Sequence, residues 1–160
     1  MGMQYDVKSK HISLSGLAYG SRTRLKGAII SADTTAAARN TVFADNTPAS
    51  ATYNIPGSTV CTVTVANVLT AGDRVWLIFT SGSGVTGPYS VATASATSFT
   101  VTTASLTTSG NVTAYLNVLM EADSYNPVAY SILIPGEGIL AENGIYVGLA
   151  ANVTTTVFYG

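Results

Sequence analysis

The stretch from Tyr130 to Gly160, YSILIPGEGILAENGIYVGLAANVTTTVFYG, constrains the fold more than any other part of the chain. Ile132 to Ile134 are bulky and apolar, and Pro135-Gly136 supplies the fixed φ and the φ > 0 position of a type II turn. Asn143-Gly144 is the strongest short hairpin signal in the sequence, flanked by the apolar runs Ile139 to Glu142 and Ile145 to Leu149. From Val153 the chain alternates, with Val153, Thr155, Val157 and Tyr159 on one face and Thr154, Thr156 and Phe158 on the other. Chain ends fray unless something ties them down, and an end this apolar calls for a paired strand. The expectation is a C-terminal β meander of three strands whose last member is built into a sheet.

The rest of the chain repeats that texture. Residues 1–21 are polar, with Gly16, Gly20 and scattered Ser, and read as an N-terminal arm that lies along a neighbour. Arg22 to Ser31 is the first clear strand; period 2 places Arg22, Arg24 and Lys26 on one face and Thr23, Leu25, Gly27 and Ile29 on the other. Asp33 to Asn40 has the Ala content and the capping residues of a helical turn. Thr41 to Ala44 is a short strand, followed by the turn-rich Asp45 to Ser50. From about Tyr53 the sequence becomes rich in Thr, Val, Ser and Gly. Five short strands are expected there, at Thr59–Ala66, Arg74–Thr80, Tyr89–Thr93, Ser98–Thr103 and Asn111–Leu116. Arg74 to Thr80 is apolar on both faces, which marks a strand covered on both sides. The organisation predicted is all-β: an outer antiparallel β-sandwich or jelly-roll-like module, residues 22–52 and 117–160, with a second small β-sandwich or barrel module inserted at 53–116.

Only 9% of the 160 residues are charged, against about 25% in an average globular protein. A surface so poor in charge has little electrostatic protection against association, so a homo-oligomer or a subunit packed against other subunits is expected. The net charge of −1 is unevenly placed. Lys8, Lys10, Arg22, Arg24 and Lys26 against Asp6 make the first 26 residues basic, while Glu121, Asp123, Glu137 and Glu142 make the last 40 acidic. The two ends can meet within one fold or head to tail between subunits. Arg22, Arg24 and Lys26, with Glu137 and Glu142 opposite in sign, are therefore the candidate protein-contact residues. No aromatic residues interleave the basic face, as single-strand nucleic-acid binding requires, so no direct nucleic-acid partner is expected.

Signals for chemistry are sparse. Gly82-Ser-Gly84-Val-Thr-Gly87 has the form G-x-G-x-x-G, but a dinucleotide site needs a helix next and an acidic residue about 20 positions on. Here Pro88-Tyr89 leads into another strand and no Asp or Glu lies between Asp73 and Glu121, so the segment reads as an interstrand loop. His11 is the sole histidine and lies in the polar arm, a poor place for a preorganised base. Cys61 is the sole cysteine and sits in an alternating run as a small core residue, excluding a cysteine zinc cage. Glu137 and Glu142 meet the count for a glycosidase pair, yet both fall in expected turns, where carboxylates are solvated. Asn111-Val-Thr113 and Asn152-Val-Thr154 match glycosylation acceptors but follow no secretory signal, and no window approaches the ~20 apolar residues of a membrane span. The nine tyrosines offer a sugar-binding or subunit-contact patch. Neither an enzyme nor a cofactor nor a membrane partner is expected.

Two stretches resemble a known family. RTRLKGAII from Arg22, together with the IPGEG turn, the GIYV strand and the VFYG ending, resembles small structural proteins of tailed bacteriophages, especially phages of marine bacteria. The middle stretch from Val63 to Thr102, with its LTAGDRV and GPYSV strands, resembles a β module inserted into various phage virion proteins. Where that module commonly carries His-Gly-Leu, this chain has Asn67-Val68-Leu69. The resemblance implies a virion component, made in the host cytoplasm, without catalytic residues and with other virion proteins (the major capsid protein or tail proteins) as partners. The expected role is a capsid decoration or cement subunit. The alternative is a tail or fibre component whose inserted module binds a receptor or glycan.

Overall fold

The structure, a computed structural model, describes residues 7–33, 40–124 and 129–160. It is all-β. The strands are β1 (Lys8–Ile12), β2 (Gly16–Tyr19), β3 (Thr23–Ala32), β4 (Asn40–Asp45), β5 (Ala49–Thr64), β6 (Arg74–Phe79) and β7 (Gly87–Ser95). They continue with β8 (Ser98–Tyr115), β9 (Val118–Asp123), β10 (Tyr130–Leu133), β11 (Ile139–Ala141), β12 (Ile145–Leu149) and β13 (Val153–Tyr159). The chain divides into two units, Met1–Thr47 with Leu119–Gly160, and Pro48–Val118. The second is inserted in the first. Its end strands pair at Ala49↔Ala114, while β4 and β9, which flank it in sequence, are neighbours in a sheet of the first unit. Both junctions turn through an asparagine at positive φ, Asn46 at 98° and Asn117 at 54°, a conformation that residue type tolerates better than most. The helical turn expected over Asp33 to Asn40 falls largely on residues 34–39, outside the described residues.

The first unit has two sheets, ordered β1-β13-β3-β10, with β11 also on β3, and β2-β12-β4-β9. Between them lies a core that includes Leu25, Ile30, Phe43, Ile145, Val147, Val153 and Val157. β13 keeps the alternation expected of it: Val153, Thr155, Val157 and Tyr159 are buried and the residues between them are half-buried. It is bonded along both edges, to β1 from Lys8↔Tyr159 to Ile12↔Thr155 and to β3 from Val153↔Ala32 to Tyr159↔Leu25.

The expected meander does not form. β10 and β11 both run antiparallel to β3 and advance in the same direction, Leu133↔Gly27 being followed by Ile139↔Leu25. Pro135 to Gly138 is thus an outward loop in one interrupted strand rather than a reversal. Asn143-Gly144 does not close a hairpin either, because β11 belongs to β3 while β12 pairs with β2 and β4 in the other sheet. A type I′ hairpin needs φ > 0 at both central residues, and here only Gly144 has it, at 119°. The buried carboxylate of Asp45 makes the crossing: it accepts the backbone N–H groups of Asn143 at 2.7 Å and Glu142 at 3.1 Å. The segment 1–21 also differs from the polar arm expected. It contains β1 and β2, with Ile12 and Ala18 in the core, since four or five residues of strand need only one or two apolar side chains to anchor in a sandwich.

β3 departs from strict alternation. Phe158 pairs with Gly27 and Tyr159 with Leu25, so Lys26 is the extra residue of a β-bulge. The bulge breaks the expected faces: Leu25 is buried, but beyond it Ala28 and Ile30 point into the core and Ile29, expected on the Leu25 face, lies outside.

The Pro48–Val118 unit is organised on one long ribbon. Ser98–Thr103 and Asn111–Leu116, expected as separate strands, are parts of the single strand β8, which pairs with β5 from Thr64↔Ser98 to Ala49↔Ala114. Two register shifts near Pro56 and Ser58 absorb the Pro56-Gly57 irregularity, so the ladder extends well before the strand expected at Thr59–Ala66. β6 pairs with β7 and with the end of β8, and β7 with the start of β8, so the sheet curls back on itself. Ile55, Val63, Val75, Leu77, Phe99 and Val101 fill it.

Gly144→Ala and Gly136→Ala separate turn strain from close approach. Both residues have positive φ, and L-residues there lose about 1–2 kcal/mol. A methyl group at Gly144 would also strike the carbonyl oxygen of Tyr19, whereas Gly136 has open space around it. Urea unfolding of the full chain is expected to show a larger loss for Gly144→Ala than for Gly136→Ala, and equal losses would refute the close packing of that crossing.

Candidate functional site

The basic residues singled out in the sequence all lie at one end of β3, and the structure gives each a different partner. Arg22 Nε donates to Glu142 Oε2 at 2.8 Å, an ion pair between exposed side chains. Arg24 lies opposite Leu140 on β11, and its guanidinium reaches the carbonyl of Gly138 at 3.4 Å. Lys26, the bulged residue, is only 7% exposed, and its Nζ donates to the carbonyl of Glu137 at 2.9 Å. Long aliphatic stems allow lysine to be covered in this way while the ammonium reaches a polar partner. The basic front and acidic back of the chain therefore meet within one fold, at Arg22 and Glu142. The Lys26 and Arg24 contacts use backbone carbonyls of the Pro135–Gly138 loop rather than the Glu137 carboxylate.

A cleft of about 490 Å³ opens beside this end of β3. Arg22, Thr23 and Arg24 form one side, and Leu140 of β11 adds an apolar wall. β1 contributes Lys8, β2 contributes Tyr19, and β13 contributes Tyr159 followed by Gly160. Tyr19 and Tyr159 stack with ring centroids 5.0 Å apart and an interplanar angle of 29°. The Gly160 N–H donates to the Arg24 carbonyl at 3.2 Å, which prolongs the β13–β3 ladder to the rim. Of the five residues expected to make contacts, Arg22 and Arg24 line the cleft, and Lys26, Glu137 and Glu142 do not. Sequence reasoning missed Lys8, Tyr19 and Tyr159. The signal for Tyr159 was its place in an alternating strand, but a core position and a cleft wall look alike in a period-2 pattern.

The other candidates have structural partners. Four N–H groups of the 80–86 loop are taken by the protein itself: those of Thr80 and Ser81 donate to the Asn111 carbonyl, that of Ser83 to Thr108 Oγ1 at 3.0 Å and that of Gly84 to the Tyr53 hydroxyl at 3.2 Å. The chain then enters β7 and not a helix, so the glycine pattern forms an interstrand loop, as expected. His11 Nδ1 lies 3.2 Å from Thr156 Oγ1 on the adjacent strand. Cys61 is fully buried, and burial pushes its thiol up to about 11 from an ordinary value of 9.0. Nucleophilic cysteines need the opposite shift. Among the described residues no group of three His, Cys, Asp or Glu is placed to hold a metal ion. Among the described residues there is no helix long and apolar enough to cross a membrane.

No family model matches the chain, and no curated protein sequence matches it. Among solved structures it is similar to part of the phage phi92 endosialidase, at 18% identity and a TM-score of 0.32 over 80% of this chain. The chain spans about 20% of the length of that protein.

The buried thiol gives a pH test of the inserted unit. Its folded-state value lies above its unfolded value, so the unfolded chain loses the proton first. The thiol's contribution is complete below about pH 9 and is lost as pH rises toward 11. Denaturant unfolding is expected to show stability falling over this range by up to about 1.4 kcal/mol per pH unit more than in Cys61→Ala. Parallel pH profiles for the two proteins would contradict a buried, protonated thiol.

Proposed function

We propose that the chain is a non-enzymatic structural subunit of a tailed-bacteriophage particle, a capsid decoration or cement subunit that works by protein–protein contact in many copies. The observation that carries this reading is the edge of the inserted unit. β5 runs from Ala49 to Thr64 with no charged residue, and among the described residues it pairs on one side only, with β8. Natural sheets protect exposed edges of this length with lysines, with short strands or with a cover, because an open ladder pairs with other chains. Here Pro56-Gly57 and the two register shifts beside it, between Pro56 and Val60, interrupt the edge, and no lysine guards it. The whole of residues 48–118 carries only Asp73 and Arg74 as charged side chains, and Val60, Val68 and Val85 are exposed on it. Such a surface is suited to being covered by neighbours in an assembly. The sequence resemblance to phage structural proteins supports the kind of assembly.

A second reading has its own observation. Thr62 and Thr64 of β5, Ser98, Thr100 and Thr102 of β8, and Thr93 of β7 all keep some exposure, and Thr62 is paired with Thr100. An uncharged hydroxyl surface of that kind suits a neutral glycan, which would make the chain a tail or fibre component with a receptor-binding insert.

Quantitative mass spectrometry and immunogold labelling of purified particles test both. A copy number comparable with the major capsid protein and label over the head are the expected result. Label confined to the tail would replace the first reading by the second, and absence of the chain from denatured particles would overturn both.

A further inference from the structure

We propose that the cleft between the ends of β1, β2, β3, β11 and β13 is a binding site for an acidic saccharide, a sugar ring bearing a carboxylate. The inference goes beyond a contact role for the chain and does not depend on where in a particle the chain sits. Its volume, about 490 Å³, falls in the range of small-ligand sites, which run from about 300 to 1,000 Å³. Its side-chain charge is unbalanced. Lys8, Arg22 and Arg24 all line it, and among the described residues the one side-chain carboxylate paired with any of them is Glu142, on Arg22. The guanidinium of Arg24 has a neutral carbonyl at a long 3.4 Å, and no hydrogen bond or ion pair engages the Lys8 ammonium among the described residues. Arginine forks and a lysine point charge together favour an oxyanion, which accepts charge-assisted hydrogen bonds from both.

The rest of the wall distinguishes among oxyanions. Leu140 and the tyrosine pair give the cleft an apolar side that a bare phosphate would leave unused. Tyr19 and Tyr159 stack on each other with centroids 5.0 Å apart, so no gap exists between them for a flat base. A pyranose can instead lay its C–H face against tyrosine and direct hydroxyls to Thr23 and the phenol groups, since tyrosine presents an apolar body and a polar tip. The site is also rigid: every lining side chain but Arg22 comes from a strand or from the residue that prolongs one, and the Gly160 N–H to Arg24 carbonyl bond ties two of its walls together. Preformed placement of a few polar groups on regular elements is what small-ligand recognition requires.

The test is an amide-resonance titration of the full chain with glucuronate, glucose, inorganic phosphate and a short poly-glutamate peptide, in low salt. Glucuronate is expected to move the resonances of Lys8, Tyr19, Thr23, Arg24 and Tyr159, with glucose and phosphate each weaker by about tenfold or more. Lys8→Gln with Arg24→Gln is expected to lose that response while the remaining spectrum stays folded. If the double variant does not fold, the ligand series on the unaltered chain decides alone. Equal responses to glucose and glucuronate, or to phosphate and glucuronate, would overturn the assignment. So would a stronger response to the peptide, which would make the cleft a dock for acidic side chains of another protein. Because purified protein is used, failure here leaves the particle reading untouched, and the reverse holds as well.

Discussion

β3 and β13 share a ladder from Val153↔Ala32 to Tyr159↔Leu25, and the rest of the first unit is built outward from it. β1 adds to the free edge of β13, and the interrupted strand β10–β11 adds to the far edge of β3. The buried face of that pair, Ala28, Ile30, Val153 and Val157, is the floor on which Phe43, Ile145 and Val147 of the second sheet pack. Strands bonded on both edges, with one face buried, have their register strongly specified, because a slip of one residue would turn the buried set outward. The bulge at Lys26 is the one place where the ladder departs from this. There it aims a lysine toward the Pro135–Gly138 loop, whose excursion leaves room for it. The cleft lies at the end of the same ladder, where Tyr159 and Arg24 come from the two paired strands.

The inserted unit solves a different problem. It has almost no charge and relies on Ser and Thr to keep its outer surface polar. Its ribbon satisfies the β5 and β8 backbones along their shared edge, and the curl of β6 and β7 onto β8 encloses Phe99, Val101 and Leu77. The outer edge of β5 has no strand paired to it among the described residues. This is consistent with the division of labour proposed above, in which the first unit carries the charged, concave feature and the inserted unit carries the uncharged contact surface.

How far the sequence revealed these features depended on what each signal measures. Alternation in 153–159 identified a strand and its buried face, and the unbroken apolar run 75–79 identified another, because hydrophobic pattern reports directly on burial. It could not report partners. Pro135-Gly136 and Asn143-Gly144 have turn chemistry that is satisfied as well by a loop in a continuing strand, or by a crossing between sheets, as by a hairpin. At Asn143-Gly144 the decision rests on Asp45, about 100 positions away, whose carboxylate takes the N–H groups of Glu142 and Asn143. Residues 8–19 read as an arm because their strands are short and carry few apolar side chains, Ile12 and Ala18 supplying the anchors. Of the candidate contact residues, the Arg22–Glu142 pair was within reach of charge bookkeeping. The cleft was not, since it assembles one or two residues from each of five strands.

β13 is the central strand that organises the first unit and holds one wall of its cleft. Native-state hydrogen exchange, resolved by residue, tests this most directly. The amides of Val153 to Tyr159 are predicted to be among the slowest in residues 7–33, 40–47 and 129–160, opening only with unfolding of the unit, while those of the edge strand Lys8–Ile12 exchange sooner. Exchange of Val153 to Tyr159 as fast as the edge strand would mean that the end of the chain frays, and the fold described for this unit would be wrong.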